Sequence, residues 1–461
     1  MSDDAAVRRL VRIAQPESAP VGPADQDPLA KLACVGIGGG TELAWEPLPG
    51  PGVLVLASAC DKRGPCRLEL LSSSPDWRCE LDVGFCSLGQ RFHVAVPAGV
   101  GGLHVRALDD DGVFWAIADA DRLPGGLPAV WPAEDGADRV ARFWRRLEHD
   151  GVAEFGWMGG CVLEAFDALH RVSGDPRWPA ARDRWLSHFL DDAHVAYQDP
   201  RGRPRRDTFV TIEATLPIAS ITRARPEHPV VDMALDFLHA SAGRDATCEG
   251  CYTVAYPVMQ AAVARGRAAL ADLALAELRH RRDKLHHEGA IYLRHHGTHR
   301  TYRNWARGVA WYLLGHVECL KLARLAGETL GAGRWGEAAV HVGDLVPWVL
   351  AEQRDDGRWG NFFDDAPALP ADNAGSAGIA AALVGAATLG LADAEVAAAA
   401  AGRCWSAVIG DLHVDGWPGN VSPSNKRGEE FQRGPRRTSE TFGLGLVGQL
   451  AAAVWPASRR V

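Results

Sequence analysis

The pattern of apolar and polar positions along the chain changes once, near Pro132. Before that point, short apolar runs such as residues 53–56 are separated by Gly, Pro and Asp clusters, and several runs alternate with period two. Runs of this kind, repeated every ~8–12 residues, are typical of a small antiparallel sandwich. We therefore predict a β-sandwich domain over residues 31–128, preceded by a flexible tail over residues 1–30.

After Pro132 the apolar period becomes helical. Twelve amphipathic segments follow one another, with connections short enough for antiparallel neighbours. They cover residues 138–149, 158–173, 179–192, 212–224, 230–241, 251–265, 268–284, 305–324, 334–353, 374–391, 394–409 and 439–454. Twelve such helices predict a mainly α fold, an (α/α)6 barrel or six-hairpin toroid over residues 133–461. We expect the apolar segments 305–324 and 374–391 to belong to its inner ring.

Composition narrows the function classes. The chain has 49 basic and 58 acidic residues, and the net charge of −9 disfavours a nucleic-acid or anionic-membrane partner, because phosphate binding needs a concentrated positive face. No apolar signal region follows the Arg8-Arg9 pair, so we expect a cytoplasmic protein. Residues 374–392 carry no charge over 19 positions, but their Ala and Gly content favours a packed internal helix over a membrane span. The oligomeric state stays open.

The densest polar and aromatic stretch is residues 286–311, which contains five His, two Tyr, two Trp and four Arg. It lacks the spacing of a zinc site, which disfavours a metal. Aromatic faces that stack on sugar rings, together with Arg and His donors, favour a carbohydrate site. The alternative is a solvated loop that ends in core tryptophans. Further long loops, at 354–373 and 412–438, would lie where a barrel places its binding face.

Cys248-Glu249-Gly250-Cys251 is a CxxC motif. No second CxxC and no βαβ unit accompany it, which disfavours a zinc or redox site. We interpret the ten scattered cysteines mainly as buried thiols. Glu249 precedes an apolar helix, and Glu213 stands in the same way before another apolar segment. Two carboxylates at helix starts could form the acid/base pair of sugar chemistry, or could be helix caps only.

Three ordered motifs resemble those of the unsaturated glucuronyl hydrolases, glycoside hydrolase family 88. Residues 297–299 and 305–311 have the sequences GTH and WARGVAW, which resemble the family's GTH…WARGQAW. The related unsaturated rhamnogalacturonyl hydrolases carry a similar RGNGW. The other two motifs are FGWMGG…SGD at 155–160 and 173–175, similar to FWTGMLW…TGD, and FDDAPALP…SAGIA at 363–370 and 376–380, similar to FDAPxIP…SSAAAIAA. The resemblance covers the helical part only.

This resemblance implies an (α/α)6 barrel that removes a 4,5-unsaturated uronic acid from acidic oligosaccharides released by polysaccharide lyases. In that family an Asp protonates the C4=C5 vinyl ether and water adds at C5, without a metal or organic cofactor. The catalytic Asp corresponds to Glu249 here, and the family's second Asp falls near Glu213. Five further residues match substrate-lining or adjacent motif positions: Trp157, His299, Trp305, Arg307 and Trp311.

The chain departs from the family at these same positions. Both acidic positions are Glu, one methylene longer than Asp, and Val309 replaces the Gln of WARGQAW. Asp245 is an alternative to Glu249 as the acid. We therefore predict a hydrolase with an altered substrate and keep two alternatives. One is a catalytically silent carbohydrate-binding protein on the same toroid, and the other is a toroid lyase or isomerase that acts on saturated sugars.

Overall fold

The structure is a computed structural model of the 461-residue chain. It describes residues 8–16, 31–73, 76–110, 112–134, 138–199, 203–243, 246–330, 332–455 and 458. Most of the predicted tail, at residues 1–7 and 17–30, lies outside these ranges. Within the same predicted tail, however, residues 9–14 contain two short strands that pair antiparallel with later strands.

Seventeen strands occur in the described part of the chain. The N-terminal ones are β1 (Arg9–Leu10), β2 (Arg12–Ala14), β3 (Cys34–Ile37), β4 (Glu42–Ala44), β5 (Gly52–Ala57), β6 (Arg67–Ser73), β7 (Asp76–Asp82), β8 (Arg91–Val96), β9 (Gly102–Ala107), β10 (Phe114–Ile117) and β11 (Ala129–Pro132). Between the helices lie β12 (Ala196–Gln198), β13 (Pro204–Arg206), β14 (Ala246–Thr247), β15 (His286–His287), β16 (Ala290–His296) and β17 (His299–Arg303). We call β1–β11 and their connections the β region.

The β region contains two main antiparallel sheets. One has the strand order β1-β11-β5-β8 and the other the order β2-β4-β9-β6-β7. Strand β6 alternates between buried and more exposed positions, as its period-two pattern predicts. Side chains from both sheets, such as Leu54 and Leu70, share one hydrophobic core. The two sheets therefore form two layers around a common core.

Thirteen α-helices occur among the described residues. They are α1 (Arg139–Asp150), α2 (Trp157–Ser173), α3 (Arg177–Leu186), α4 (Pro217–Ala224), α5 (Pro229–Ser241), α6 (Tyr256–Arg265), α7 (Ala268–Leu285), α8 (Ala306–Ala326), α9 (Gly336–Ala351), α10 (Asn373–Thr388), α11 (Ala394–Gly410), α12 (Glu429–Gln432) and α13 (Thr441–Ala453). Each predicted helical segment overlaps one of them, and α12 is an additional short turn. Pro217 opens α4, where its missing N–H costs no helical hydrogen bond.

Six alternate helices contact one another in a closed cycle. The order is α2, α4, α6, α8, α10 and α13, and α13 packs back onto α2. The segments expected to be inner, α8 and α10, lie in this cycle and are buried along most of their length. Other helices pack outside it, for example α7 on α6 and α11 on α10. Such a cycle is what a toroid requires.

No helix in the described ranges combines the length and the apolar character needed to cross a membrane.

Neighbouring helices of the cycle approach so closely that some contact positions have no room for a Cβ atom. A Cβ added to Gly445 of α13 would lie 2.5 Å from the carbonyl carbon of Cys161 in α2. A Cβ on Gly378 of α10 would lie 2.8 Å from the Cβ of Ala310 in α8. Both distances are below the ~3.5–4.0 Å of an ordinary carbon contact. These helix pairs can therefore pack as they do only with glycine at the contact.

One segment between α11 and α13, residues 421–440, joins the helices to the β region. We call it the bridging segment. Its Arg427 places Nη2 2.9 Å from both carboxylate oxygens of Asp82. The neighbouring Lys426 donates from Nζ to the carbonyl oxygen of Cys86 at 2.8 Å. These charge-assisted hydrogen bonds fix the position of the β region against the helical ring.

We expect Gly445→Ala to destabilise the protein by at least about 2 kcal/mol, because the added methyl group must displace the backbone of α2. Gly402→Ala is the matched control. Gly402 lies inside α11 with open space around it, so alanine there should stabilise by about 0.5–1 kcal/mol. Urea unfolding of both variants measures the difference. Equal unfolding free energies would contradict the close helix contact.

Candidate active site

A cavity of about 310 Å³ opens between the β region, the bridging segment and one end of the helical cycle. Gly156–Met158 reach it from the start of α2, Ala214 from the turn before α4, and Glu249 from the turn before α6. Residues 424–426 of the bridging segment line another part. Helix N-termini carry partial positive charge, so three of them directed to one cavity favour an anionic ligand.

Glu154 is the most strongly perturbed acid of this cavity. It precedes α2 and is partly buried, and its Oε1 accepts a hydrogen bond from the backbone N–H of Met158 at 3.1 Å. Burial raises the pKa of its carboxyl to about 8, so it carries a proton at neutral pH. Glu154 was not among the residues predicted from the sequence, although it lies directly before the motif that begins at Phe155.

Glu249 lines the same cavity, as predicted from its position before an apolar helix. It is half-buried and also borders an adjoining cavity of about 700 Å³. Arg294 of β16 lines both cavities as well. Strand β14 brings the two close together, because Thr247 pairs with Arg294 in the sheet register. Glu249 and Arg294 therefore stand where the two cavities meet.

The two cysteines beside Glu249 are buried thiols. Cys248 donates from Sγ to the carbonyl oxygen of Tyr292 at 3.1 Å, and burial raises the pKa of Cys251 to about 12. Cys251 opens a π-helical turn, Cys251–Ala255, that leads directly into α6. A thiol with a raised pKa is a poor nucleophile and a poor metal ligand, so the CxxC motif serves packing. No group of three or more His, Cys, Asp or Glu side chains in the described ranges could hold a metal ion.

The other two predicted acids are only partly described. Glu213 lies in the 3-10 turn Ile212–Thr215 that precedes α4, and its neighbour Ala214 lines the cavity. The side chain of Glu213 lies outside the described part of the structure. Asp245, the alternative acid, also lies outside the described residues.

An aromatic wall bounds the cavity. Trp157 lines it, and its ring stacks on Phe442 with centroids 4.8 Å apart. Trp311 is buried behind Trp157, edge-on at 5.4 Å, and stacks in turn on Tyr252 at 5.9 Å. Of the two predicted tryptophans, Trp157 therefore lines the cavity, whereas Trp311 supports the ring of Trp157 from behind.

Trp305 and Arg307, predicted to contact substrate, are buried in the protein and do not line the cavity. Arg307 donates from Nη1 and Nη2 to the carbonyl oxygens of Ser422 and Pro423, at 2.7 and 2.9 Å. Its guanidinium also lies 4.3 Å from the ring centroid of Trp305. Arg307 therefore positions the start of the bridging segment, two residues before the part that lines the cavity.

His299 also differs from the prediction. It is exposed at the turn of the β16–β17 hairpin and pairs with His296 in the strand register. It does not line either of the two cavities, whereas His295 and His296 both line the larger one. The histidine of the GTH motif therefore lies at the tip of the hairpin, where the chain turns from β16 into β17.

Residues 244–454 match the sequence model of Glycosyl Hydrolase Family 88. The match extends from the turn before β14 to the end of α13 and includes Glu249, Arg294 and Arg307. No curated protein sequence matches the chain. The family match over residues 244–454 confirms the resemblance found in the sequence and supports a glycoside hydrolase, as a divergent relative of Glycosyl Hydrolase Family 88.

Solved structures with the same fold include a possible member of the GH105 family from Salmonella enterica subsp. enterica serovar Paratyphi A (TM-score 0.57, 14% identity, covering 70% of this chain and 93% of that chain). A glycosyl hydrolase family 88 protein from Bacteroides vulgatus has a TM-score of 0.54 at 14% identity, covering 70% and 98%. An unsaturated glucuronyl hydrolase specific for heparin has a TM-score of 0.52 at 12% identity, covering 70% and 96%.

We expect Arg307→Met to lower the unfolding free energy by about 2–5 kcal/mol, because two buried carbonyl oxygens lose their charged donor. Arg324→Met is the control on the same helix, since Arg324 is exposed and its loss should cost less than about 1 kcal/mol. Chemical unfolding compares the two variants. Similar losses in both would show that Arg307 does not hold the bridging segment.

Glu154 should make stability depend on pH. In the folded protein its carboxyl keeps a proton up to about pH 8, whereas in the unfolded chain it ionises near the ordinary value of 4.5. The stability from this group is therefore full below pH 4.5 and is lost as pH rises through about 8.

Glu154→Gln should reduce the fall in unfolding free energy over this pH interval, measured by chemical unfolding at a series of pH values. A residual fall should remain, because burial also raises the pKa of Glu440, to about 7. An unchanged pH slope in the variant would contradict a protonated Glu154.

Proposed function

We propose that this protein removes a terminal 4,5-unsaturated uronate from acidic oligosaccharides by protonation and hydration of the vinyl ether. The observation that carries the proposal is one cavity that combines two carboxyl groups, Glu154 and Glu249, with the aromatic face of Trp157. The family match of residues 244–454 supports this substrate class, and so does the fold shared with an unsaturated glucuronyl hydrolase specific for heparin. No metal or organic cofactor takes part in the proposed reaction.

The two carboxyl groups have different environments and so suit different roles. The raised pKa of Glu154 keeps it protonated at neutral pH, so we assign it as the acid that delivers a proton to C4. Glu249, half-buried beside the larger cavity, is assigned as the base that takes a proton from the water attacking C5. The product of this addition is a hemiketal, which opens and releases the rest of the oligosaccharide. We keep Glu213 as a proposed partner of Glu249 in the reaction because of its position before α4.

The two cavities suggest how an oligosaccharide is divided between them. About 310 Å³ is at the small end of the ~300–1,000 Å³ typical of ligand pockets, which suits a single sugar unit. We place the unsaturated uronate there, stacked on Trp157, and the remaining sugars in the larger cavity beside His295 and His296. The site is supported from within the ring by the buried side chains of Trp305, Arg307 and Trp311.

For the architecture, we propose an (α/α)6 toroid over residues 133–461, with a separate β-sandwich domain over residues 31–128. The closed cycle of six helices and the two-layer β region support this division.

Disaccharides made by polysaccharide lyases, assayed by the loss of their C4=C5 ultraviolet absorbance, test the reaction. We expect turnover by the wild type, with activity falling as pH rises through about 8 when Glu154 loses its proton. Glu154→Gln and Glu249→Gln should each lose at least about 100-fold in kcat. Glu395→Gln, an exposed acid on α11 that lines neither cavity, is the matched control and should retain wild-type activity.

Absence of turnover with every disaccharide of the panel would overturn the hydrolase proposal. Binding without turnover would instead favour the silent carbohydrate-binding protein, and turnover of saturated sugars only would favour a lyase or isomerase. Full activity of Glu154→Gln would overturn only its assignment as the proton donor.

A further inference from the structure

One wall of the smaller cavity comes from the β region. The connection between β5 and β6, residues 58–66, extends to the cavity, where Asp61 and Arg63 line it together with Glu154 and Trp157. The family match covers residues 244–454 only, so this wall lies outside it. The cavity is therefore built from two parts of the chain, of which only one belongs to the matched region.

The 58–66 loop is held in place by specific contacts. Lys426 of the bridging segment forms an ion pair with Asp61, and its Nζ also donates to Ser87 Oγ at 3.1 Å. Within the loop, Ser58 Oγ donates to the carbonyl oxygen of Cys60 at 2.7 Å, and the backbone N–H of Lys62 donates to the Cys86 carbonyl at 3.1 Å. The position of the loop at the cavity is thus fixed from the helical side and from within the β region.

Arg63 lies at the cavity end of this loop. Its Nε lies 3.3 Å from Asp61 Oδ2, while 52% of its side chain remains exposed. A guanidinium has five N–H donors in a planar fork, so it can contact Asp61 and a ligand carboxylate at the same time. Arg63 and Lys426 place two cationic side chains beside the carboxyl group of Asp61 at this wall. That arrangement favours an anionic group of the ligand.

Other cations near the cavity are less suited to this role. Arg307 is fully buried and donates to backbone carbonyls. Lys426 directs its ammonium group to Asp61 and the β region, and only 8% of its side chain is exposed. Arg294 stands at the boundary with the larger cavity, next to Glu249. Arg63, in contrast, lines the smaller cavity, does not line the larger one, and has a half-exposed side chain.

We propose that the β region is a working part of the substrate site, and that Arg63 binds the carboxylate of the sugar in the smaller cavity. This inference rests on the proposed function, because it names the group that recognises the acid of the uronate. Recognition of the anion is then supplied by the β region, whereas the helical ring supplies the aromatic face and the catalytic carboxyls.

The test compares each unsaturated disaccharide with the same compound carrying its uronate as a methyl ester. Arg63→Ala should raise KM for the acid by about 10- to 100-fold, the range expected for a lost charged hydrogen bond, with a smaller effect on kcat. KM for the ester should change little. Arg63→Lys should recover part of the affinity, because it restores the charge without the planar fork. Arg78→Ala, an exposed arginine of β7 outside the cavity, should match the wild type.

Calorimetric titration with a saturated glucuronate disaccharide and its methyl ester separates this inference from the hydrolase proposal, since binding requires no turnover. Turnover by the wild type with unchanged KM in Arg63→Ala would overturn the role of Arg63 and leave the hydrolase intact. The wild type could instead turn over no substrate and still bind the acid more tightly than the ester. If Arg63→Ala then removes that preference, the result would support the role of Arg63 and overturn the hydrolase proposal. Thermal unfolding checks that each variant is folded.

Discussion

The structure depends on a positive charge buried inside the helical ring. Removing a guanidinium from water is costly, and Arg307 offsets that cost with two backbone carbonyl bonds and with the faces of Trp305 and Phe442. Because both carbonyls belong to the bridging segment, satisfying the charge also fixes the backbone that carries Lys426. The same segment then lines the cavity and holds the β region. One buried cation therefore links the ring, the cavity and the second part of the molecule.

The proposed chemistry of the cavity depends on two similar groups that face different cavities. Glu154 and Glu249 are the same residue type, yet Glu154 lines the smaller cavity alone, whereas Glu249 also borders the larger one. Burial favours the neutral form of a carboxyl group and raises the pKa of Glu154 to about 8. Both groups lie just before inner helices of the ring, which brings them to one cavity.

Much of the helical fold could be predicted, because amphipathic periodicity is a local property of the sequence. All twelve predicted segments overlap helices, and the family resemblance is confirmed. Roles within the site were harder to predict. The WARGVAW motif opens α8, and this helix directs Arg307 inward to carbonyl oxygens more than 100 residues away. Such long-range partners leave no local pattern. Glu154 was missed for the same reason, since its burial depends on elements distant in sequence. The position of His299 was predicted wrongly because a short motif does not determine the register of a hairpin.

The glycine contacts between inner helices also limit how this scaffold can diversify. Where α13 meets α2, glycine lies against backbone, and where α10 meets α8, glycine lies against the Cβ of Ala310, so neither glycine can be exchanged for a larger residue without moving a helix. Substitutions at these contacts therefore disturb the packing of the inner helices. New specificities have to be acquired at the rim, through hairpins, connecting loops and appended sheets. A chain that retains its ring while its loops and N-terminal strands differ is the natural product of that constraint.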